Sequence, residues 1–307
     1  MTIFVQLPVG SYPDRLPLGF AQATSFSYPT AQAMMWLAQL SYERDETIDT
    51  ILARWQLRLL AHLHSPIQGA LSDTATQGFV CQADGATIIV FAGTDPGVVK
   101  TVLTDGETIP DAAGMHPGFV RALDAVWEQL RNALPAQDRG RLFVAGHSLG
   151  AALAVLAAFR LHELAHIEAD HIYTFGLPRV GGQLFCDNYE PALGARTFRL
   201  VNGDDPVPAV PPSLLKFRHV GRSLFCPHAG TFEPNARPAV SVDDEPTFAE
   251  VERNFAGHML EGLQSGRWET PAQPGVLGWL YHLLPGGLAD HMPARYLQAL
   301  HTPVRPV

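Results

Sequence analysis

One stretch, RLFVAGHSLGAALAVLAAF over residues 141–159, constrains the fold more than any other part of the sequence. It opens with a short apolar, β-prone run, passes through GHSLG at residues 146–150, and continues as a run of alanine and leucine. This pattern predicts a buried strand, a tight turn and a buried helix. The flanking glycines remove Cβ atoms that would collide in such a turn, which leaves the Ser148 hydroxyl exposed at its apex.

Strand and helix patterns alternate along the chain from Ile88 to Asn202. Such alternation is typical of a largely parallel sheet with helices on its faces, and it predicts the α/β fold class. We expect one domain over residues 1–307, with a helical N-terminal arm at 1–75 and an irregular, pocket-covering insertion at 226–288. Within the arm, two helices are predicted over 28–45 and 45–63, the first capped by Thr30.

The bulk composition excludes several classes of protein. The chain has 307 residues, of which 47% are hydrophobic and 17% charged, and this is long enough for one large domain. Its net charge of −9 and the lack of a basic patch argue against a nucleic-acid partner. No run reaches the apolar length of a transmembrane segment.

The N-terminus and the cysteines bear on the compartment. The first residues, MTIFVQLPVGSYPDRL, lack a basic start followed by an apolar core, so no signal peptide is expected. Cys81, Cys186 and Cys226 are widely spaced, which favours buried free thiols over a disulfide or a metal site. A cytoplasmic location is therefore favoured, with a mature secreted form as the alternative.

A serine hydroxyl is a weak nucleophile at neutral pH and needs a base, which in turn needs an orienting carboxylate. On this kind of turn the partners follow in the chain order serine, acid, histidine. Spacing alone does not select among the later carboxylates and imidazoles. The candidate acids are Asp170, Asp187, Asp204 and Asp205, and the candidate bases are His219, His228, His258, His282, His291 and His301.

Several segments in order resemble the class 3, fungal-type lipase family, whose members have the α/β-hydrolase fold with a mostly parallel central sheet. The matching segments lie between Ile88 and Tyr296 and are IIVFAGT, MHPGF, VAGHSLGAALA, YTFGLPRVGG, RLVNGDDPVPAVPP, FRHVG and DHMPARY. The resemblance implies a Ser148 nucleophile, an Asp205 acid and a His291 base. It also implies an oxyanion hole formed by the backbone N–H groups of Thr94 and Leu149.

The sequence departs from the family pattern near the expected substrate pocket. Ala92 stands where the family usually has arginine, and Val102 lies near the position of the usual lid tryptophan. The apolar run GVLGWLYHLLPGGL, residues 275–288, directly precedes Asp290 and His291. It lines an acyl pocket, forms a mobile cover, or packs as a core helix against the sheet. The predicted substrate-binding residues are Val102, Trp279, Leu280, Leu283 and Leu284.

A rival motif, HELAH at residues 162–166, matches the H-E-x-x-H zinc signature. His162 lies 14 residues beyond Ser148, roughly 21 Å along a straight helix, so the two cannot share one site. A solvated helix end is the favoured interpretation, because cationic side chains commonly complement that end of a helix.

The sequence thus predicts a carboxylic ester hydrolase, a lipase or esterase acting on acylglycerols or on short- to medium-chain esters through an acyl-enzyme. It would need no metal and no cofactor. Its expected partner is an ester or lipid substrate, with a lipid–water interface as one setting for the reaction, and its oligomeric state stays open. The alternatives are a phospholipase A1 or a feruloyl-type esterase on the same triad, a non-catalytic lipid-binding protein, and a zinc hydrolase using HELAH.

Overall fold

The computed structural model of the protein describes residues 5–17, 19, 22–65, 76–83, 85–93, 109–211, 213–239 and 288–302. Its helices and strands alternate over most of this length. The helices are α1 (Tyr28–Leu40), α2 (Asp45–Arg54), α3 (Pro117–Ala133), α4 (Leu149–Ala165), α5 (Gln183–Leu193), α6 (Leu288–His291) and α7 (Pro293–Ala299). The strands are β1 (Arg58–His64), β2 (Gln77–Ala83), β3 (Ala86–Phe91), β4 (Arg141–His147), β5 (His171–Phe175), β6 (Gly181–Gly182), β7 (Thr197–Asn202), β8 (Phe217–Arg218) and β9 (Arg222–Cys226).

Seven strands form the central sheet in the order β1-β2-β3-β4-β5-β7-β9. The first three strands pair antiparallel, and the pairs from β3 through β9 are parallel. A small second sheet pairs β6 with β8. Because the parallel strands share one direction, their carboxyl ends meet at one edge of the sheet, which is where ligand sites form in open α/β sheets.

Successive residues of each strand pack on opposite faces of the sheet, as the pleat requires. In β3, Ile88 and Val90 face a core built with α1, α2 and α7, whereas Ile89 and Phe91 face a second core built with α3, α4 and α5. Both faces are therefore covered by helices, which explains why the sequence of β3 is continuously apolar.

The N-terminal arm differs from its prediction in two respects. Helix α1 is capped by Ser27, whose hydroxyl accepts a hydrogen bond from the Thr30 N–H, and not by Thr30 itself. The second helix ends at Arg54, and Gln56 takes a left-handed conformation with φ of 60°. The residues that follow pair with β2 as strand β1, so tertiary pairing overrides their helical periodicity.

The proposed division of the chain stays a prediction. Residues 28–64 supply two helices and an edge strand that share the core of the central sheet. The insertion predicted at 226–288 falls largely outside the described residues, as does its apolar run at 275–287.

Gln56, the left-handed residue that follows α2, provides a test of how the chain leaves this helix. Gln56 is exposed and pays a steric penalty that glycine avoids, so Gln56→Gly is expected to stabilise the protein by about 0.5–1 kcal/mol. Ala125→Gly, at an exposed position within α3, is the control and is expected to destabilise by about 1 kcal/mol. Urea unfolding measures both changes, and destabilisation by Gln56→Gly would contradict the assigned conformation.

Candidate active site

The turn between β4 and α4 holds Ser148 in a conformation that few residues other than glycine adopt, with φ of 60° and ψ of −128°. The turn is closely packed on both sides of the serine. A Cβ on Gly146 would lie 2.1 Å from the Gly150 carbonyl oxygen, and one on Gly150 would lie 2.3 Å from that of Phe91. The two glycines therefore permit the strand, the turn and the helix to meet at this point.

Three side chains meet at the carboxyl edge of the sheet. The Nε2 atom of His291 lies 2.8 Å from Ser148 Oγ, and its Nδ1 atom lies 2.8 and 2.9 Å from the two carboxylate oxygens of Asp205. A carboxylate accepts, so Nδ1 carries the proton and Nε2 accepts from the serine hydroxyl. All three side chains are buried, so the exposed Ser148 hydroxyl expected from the sequence is not found in this conformation.

The Asp205 carboxylate is held by further donors. The Tyr296 hydroxyl donates to Oδ2 over 2.7 Å, and the Val207 N–H donates to Oδ1 over 2.9 Å. Burial and the adjacent Asp205 raise the pKa of Tyr296 well above its usual value, so the phenol keeps its proton. Gly176, with φ of 61°, leaves room for the pair, because a Cβ there would lie 2.7 Å from Asp205 Oδ2.

A second buried chain of hydrogen bonds runs behind the serine. His147 Nε2 lies 2.6 Å from the His291 carbonyl oxygen, and its Nδ1 lies 2.6 Å from the Tyr42 hydroxyl. Burial and the neighbouring His291 hold the pKa of His147 well below its usual value, so its ring is neutral. Because the carbonyl can only accept, Nε2 donates to it and Nδ1 accepts from Tyr42.

Tyr42 also reaches the segment that precedes Thr94. Its hydroxyl oxygen accepts a hydrogen bond from the Gly93 backbone N–H. Ala92, the departure from the family arginine, is buried in a small apolar cluster with Val5, Tyr42 and Met292. The surroundings of this residue are therefore apolar.

Asp204, one of the candidate acids, lies in a turn and is buried. Its N–H donates to Asp290 Oδ2 over 2.8 Å, and His228 Nδ1 lies 2.7 Å from that same oxygen. The cluster links the loop after β7 to the loop that carries His291.

The other candidate acids and bases have different partners. Asp170 binds Arg141 and the Leu142 N–H at the opposite edge of the sheet, and Asp187 contacts Gln183 within α5. His219 Nε2 lies 2.8 Å from the Pro208 carbonyl oxygen. His301 is exposed, and His258 and His282 lie outside the described residues.

The HELAH motif lies at the end of α4, but its two histidines do not share one helical face. His166 is the residue that ends the helix, in a left-handed conformation with φ of 52°. Within the described ranges, no third metal-binding side chain groups with His162 and His166. The local geometry therefore does not match a zinc helix, which needs both histidines in helical register.

Several predicted site residues lie outside the described residues. They are Thr94 of the oxyanion hole and the substrate-binding residues Val102, Trp279, Leu280, Leu283 and Leu284. Leu149 is described: it opens α4, where unpaired N–H groups carry a partial positive charge.

Sequence reasoning missed three residues of this site, namely Tyr42, His147 and Tyr296. His147 lies within the GHSLG segment, but the G-x-S-x-G pattern assigns no role to the residue at that position. Tyr296 stood in the quoted segment DHMPARY, five residues after His291 and on the next helix, α7. Tyr42 carried no local signal, because its partner lies 105 positions away.

Known lipases resemble this chain in sequence. The sequence model of the family described as lipase (class 3) matches residues 96–215, which include Ser148 and Asp205. A secreted mono- and diacylglycerol lipase of Malassezia restricta is 29% identical over 52% of this chain and 54% of its own. A secreted mono- and diacylglycerol lipase of Fusarium solani is 36% identical over 33% of this chain and 31% of its own. The chain thus spans about half the length of the first relative and about a third of the second.

Solved structures extend the likeness to the fold. Lipase II from Rhizopus niveus superposes with a TM-score of 0.57 at 21% identity, over 74% of this chain and 91% of that one. The triacylglyceride lipase of Rhizomucor miehei gives 0.52 at 23% identity, over 64% and 78%. The α/β-hydrolase fold is therefore confirmed, and the sequence resemblance to class 3 lipases is carried by the family model over residues 96–215.

The predicted cytoplasmic location is wrong in the light of these relatives, several of which are named as secreted lipases. The cysteines misled the prediction. Cys81, Cys186 and Cys226 are free and buried as expected, and burial raises the pKa of Cys186 and Cys226 to about 12. Such thiols are unreactive, so they do not report the redox state of the compartment.

No helix among the described residues combines the length and apolar character that a membrane crossing requires.

The neutral, buried His147 predicts a pH dependence of stability. The unfolded chain binds a proton at His147 below about pH 6.5 that the folded protein does not bind, so the free energy of unfolding falls as the pH drops. The slope from this one group is at most about 1.4 kcal/mol per pH unit. Urea unfolding between pH 7 and pH 5 measures it.

His147→Asn is expected to remove that part of the slope, whereas His166→Asn, at an exposed helix end, retains it. His171, whose pKa burial lowers to about 4, contributes with the same sign in all three proteins and cancels from the comparison. Equal slopes for His147→Asn and the parent protein would contradict the neutral, buried state.

Proposed function

We propose that this protein is a serine hydrolase that cleaves carboxylic esters of lipids. The observation that carries the proposal is the unbroken hydrogen-bond line from Ser148 Oγ through His291 to the Asp205 carboxylate, with donor–acceptor distances of 2.8 Å at each step. Nucleophile, base and orienting acid are then in the arrangement required for acyl transfer. A triacylglycerol lipase of similar fold, with a TM-score of 0.52 at 24% identity, has a catalytic centre formed by a serine protease triad.

The reaction follows from these contacts. Ser148 Oγ attacks the ester carbonyl carbon while His291 Nε2 takes its proton, and Asp205 stabilises the imidazolium through Nδ1–H. His291 then gives that proton to the leaving alcohol, and an acyl-enzyme ester on Ser148 remains. Water attacks this ester with His291 again as base, and the carboxylic acid departs. The residues named here require no metal and no cofactor.

The oxyanion of each tetrahedral intermediate needs two donors. The Leu149 N–H supplies one in this proposal, since it follows Ser148 at the positive end of α4. Thr94 supplies the other. Its neighbour Gly93 supports this role, because a Cβ placed on Gly93 would lie 2.8 Å from Ser148 Cβ. The hydrogen bond from Gly93 to Tyr42 then holds this segment against the serine.

Mono- and diacylglycerols are the proposed substrate class, since the relatives from Malassezia and Fusarium are named for these lipids. The proposal includes catalysis at a lipid–water interface. A phospholipase A1 or a feruloyl-type esterase would use the same triad, and substrate choice depends on the pocket and its loops. A zinc hydrolase is disfavoured by the left-handed conformation of His166.

Hydrolysis of p-nitrophenyl esters from acetyl to palmitoyl tests the reaction class. Ser148→Ala is expected to lower the rate by about 10⁴–10⁶ because no other group replaces the nucleophile. EDTA is expected to leave the parent rate unchanged. Ser213→Ala, at an exposed serine, is the matched control and retains full activity.

Release of fatty acid from monoolein, diolein, triolein and phosphatidylcholine, below and above their solubility limits, then identifies the substrate. We expect the partial glycerides to be hydrolysed fastest. Preference for phosphatidylcholine would replace the acylglycerol assignment, and loss of activity in EDTA alone would overturn the serine mechanism.

The two adjacent aspartates provide a matched pair for the acid. Asp205→Asn is expected to lower kcat by about 10⁴, because an amide favours the wrong histidine tautomer. Asp204→Asn leaves the contacts of His291 in place and is expected to lower kcat by at most about tenfold, because Asp204 lies outside the triad. Steady-state kinetics of both variants shows which aspartate is the acid. A larger loss of kcat in Asp204→Asn than in Asp205→Asn would mean that Asp205 is not the acid.

A further inference from the structure

A cavity of about 1350 Å³ opens at the edge of the sheet opposite to the triad. Its walls include the first residues of three parallel strands, Arg141 of β4, His171 of β5 and Arg222 of β9. Ser148, by contrast, follows the last residue of β4. Six residue steps along β4 separate the two edges by roughly 20 Å, so a ligand in this cavity does not contact the triad.

The cavity is positively charged in a protein whose net charge is −9. Four arginines line it, against two carboxylates, Glu168 and Asp170. Both carboxylates already bind arginines, Glu168 with Arg196 over 2.6 Å and Asp170 with Arg141 over 3.0 Å. Arg222 and Arg237 have no ion pair with any residue in the described part of the chain, so two guanidinium charges are left without an acidic partner there.

An apolar wall lies beside these charges. Phe26 packs edge-on against Phe198 with ring centroids 5.4 Å apart, and Tyr28 and the Pro234–Pro238 segment complete this side. A volume of this size exceeds what a small anion fills and accommodates a lipid-sized molecule. Charged and apolar walls together suit a ligand with an anionic head and a hydrocarbon tail.

His171 adds a polar atom without adding charge. Its side chain is buried and lines the cavity, and its Nδ1 atom has no hydrogen-bond partner. Burial, together with the nearby Arg141, lowers the pKa of His171 to about 4, so the ring is neutral at physiological pH. The charge that an anion would meet therefore comes from the arginines.

We propose that this cavity is a second binding site, for an amphipathic carboxylate of the fatty-acid class. Arg222 and Arg237 bind the carboxylate head, because a guanidinium matches the two oxygens of a carboxylate. Phe26, Tyr28 and Phe198 contact the alkyl chain. The assignment rests on the cavity alone and does not depend on the proposed hydrolysis.

Isothermal titration of decanoate into the Ser148→Ala protein tests the site in the absence of turnover. Arg222→Gln/Arg237→Gln is expected to weaken binding at least tenfold, and Arg222→Lys/Arg237→Lys less than that. Arg44→Gln/Arg131→Gln, two exposed arginines outside the cavity, makes the same change in net charge and leaves binding unchanged. Decanol, which lacks the charge, and acetate, which lacks the chain, are both expected to bind at least tenfold more weakly than decanoate.

Photo-crosslinking with a diazirine-bearing decanoate separates this site from any acyl pocket at the triad. Labelled peptides are expected to contain residues 22–28 or 234–238, and labelling there is lost in the Arg222→Gln/Arg237→Gln protein. Labelling confined to other peptides, no detectable binding of decanoate, or equal binding by the double glutamine variant and its control would overturn the proposal. If the parent protein proved to have no esterase activity, that result would overturn the proposed function and leave this binding site untouched.

Discussion

Close contact between backbones at the end of β4 is the constraint on which the rest of the site depends. The Gly150 carbonyl occupies the space that a Gly146 side chain would need, and the Phe91 carbonyl does the same for Gly150. Helix α4 therefore begins directly against the sheet, and Ser148 has to adopt positive φ. The cost of this strained residue is offset by a core in which α4 is almost wholly buried.

Around Ser148, buried polar groups form two chains of hydrogen bonds. One chain runs from Ser148 through His291 to Asp205 and ends on the Tyr296 hydroxyl. The other runs from the Gly93 N–H through Tyr42 and His147 to the His291 carbonyl. Both therefore hold His291, one through its ring and one through its backbone, and in a low-dielectric interior such networks fix a single geometry.

Local patterns in the sequence were sufficient for the parallel core and the turn, because β3, β4 and α4 are encoded by contiguous residues. They were insufficient where a distant partner decides the structure. The run after Arg54 has helical periodicity, yet it pairs with β2 as β1. The choice of Asp205 and His291 came from family resemblance, since spacing alone left several acids and bases open. Tyr42 and the buried state of Asp204 depend on tertiary contacts that no local pattern records.

Burial of the nucleophile has a kinetic consequence. Ser148 has no solvent-exposed surface in this conformation, so a covalent reagent reaches Oγ only in molecules where that atom has become uncovered. When opening and reclosing are fast compared with the chemical step, the labelling rate equals the intrinsic reactivity of the serine multiplied by the open population. The ratio of fluorophosphonate labelling rates with and without detergent or lipid would thus report the change in the open population, with no substrate turning over.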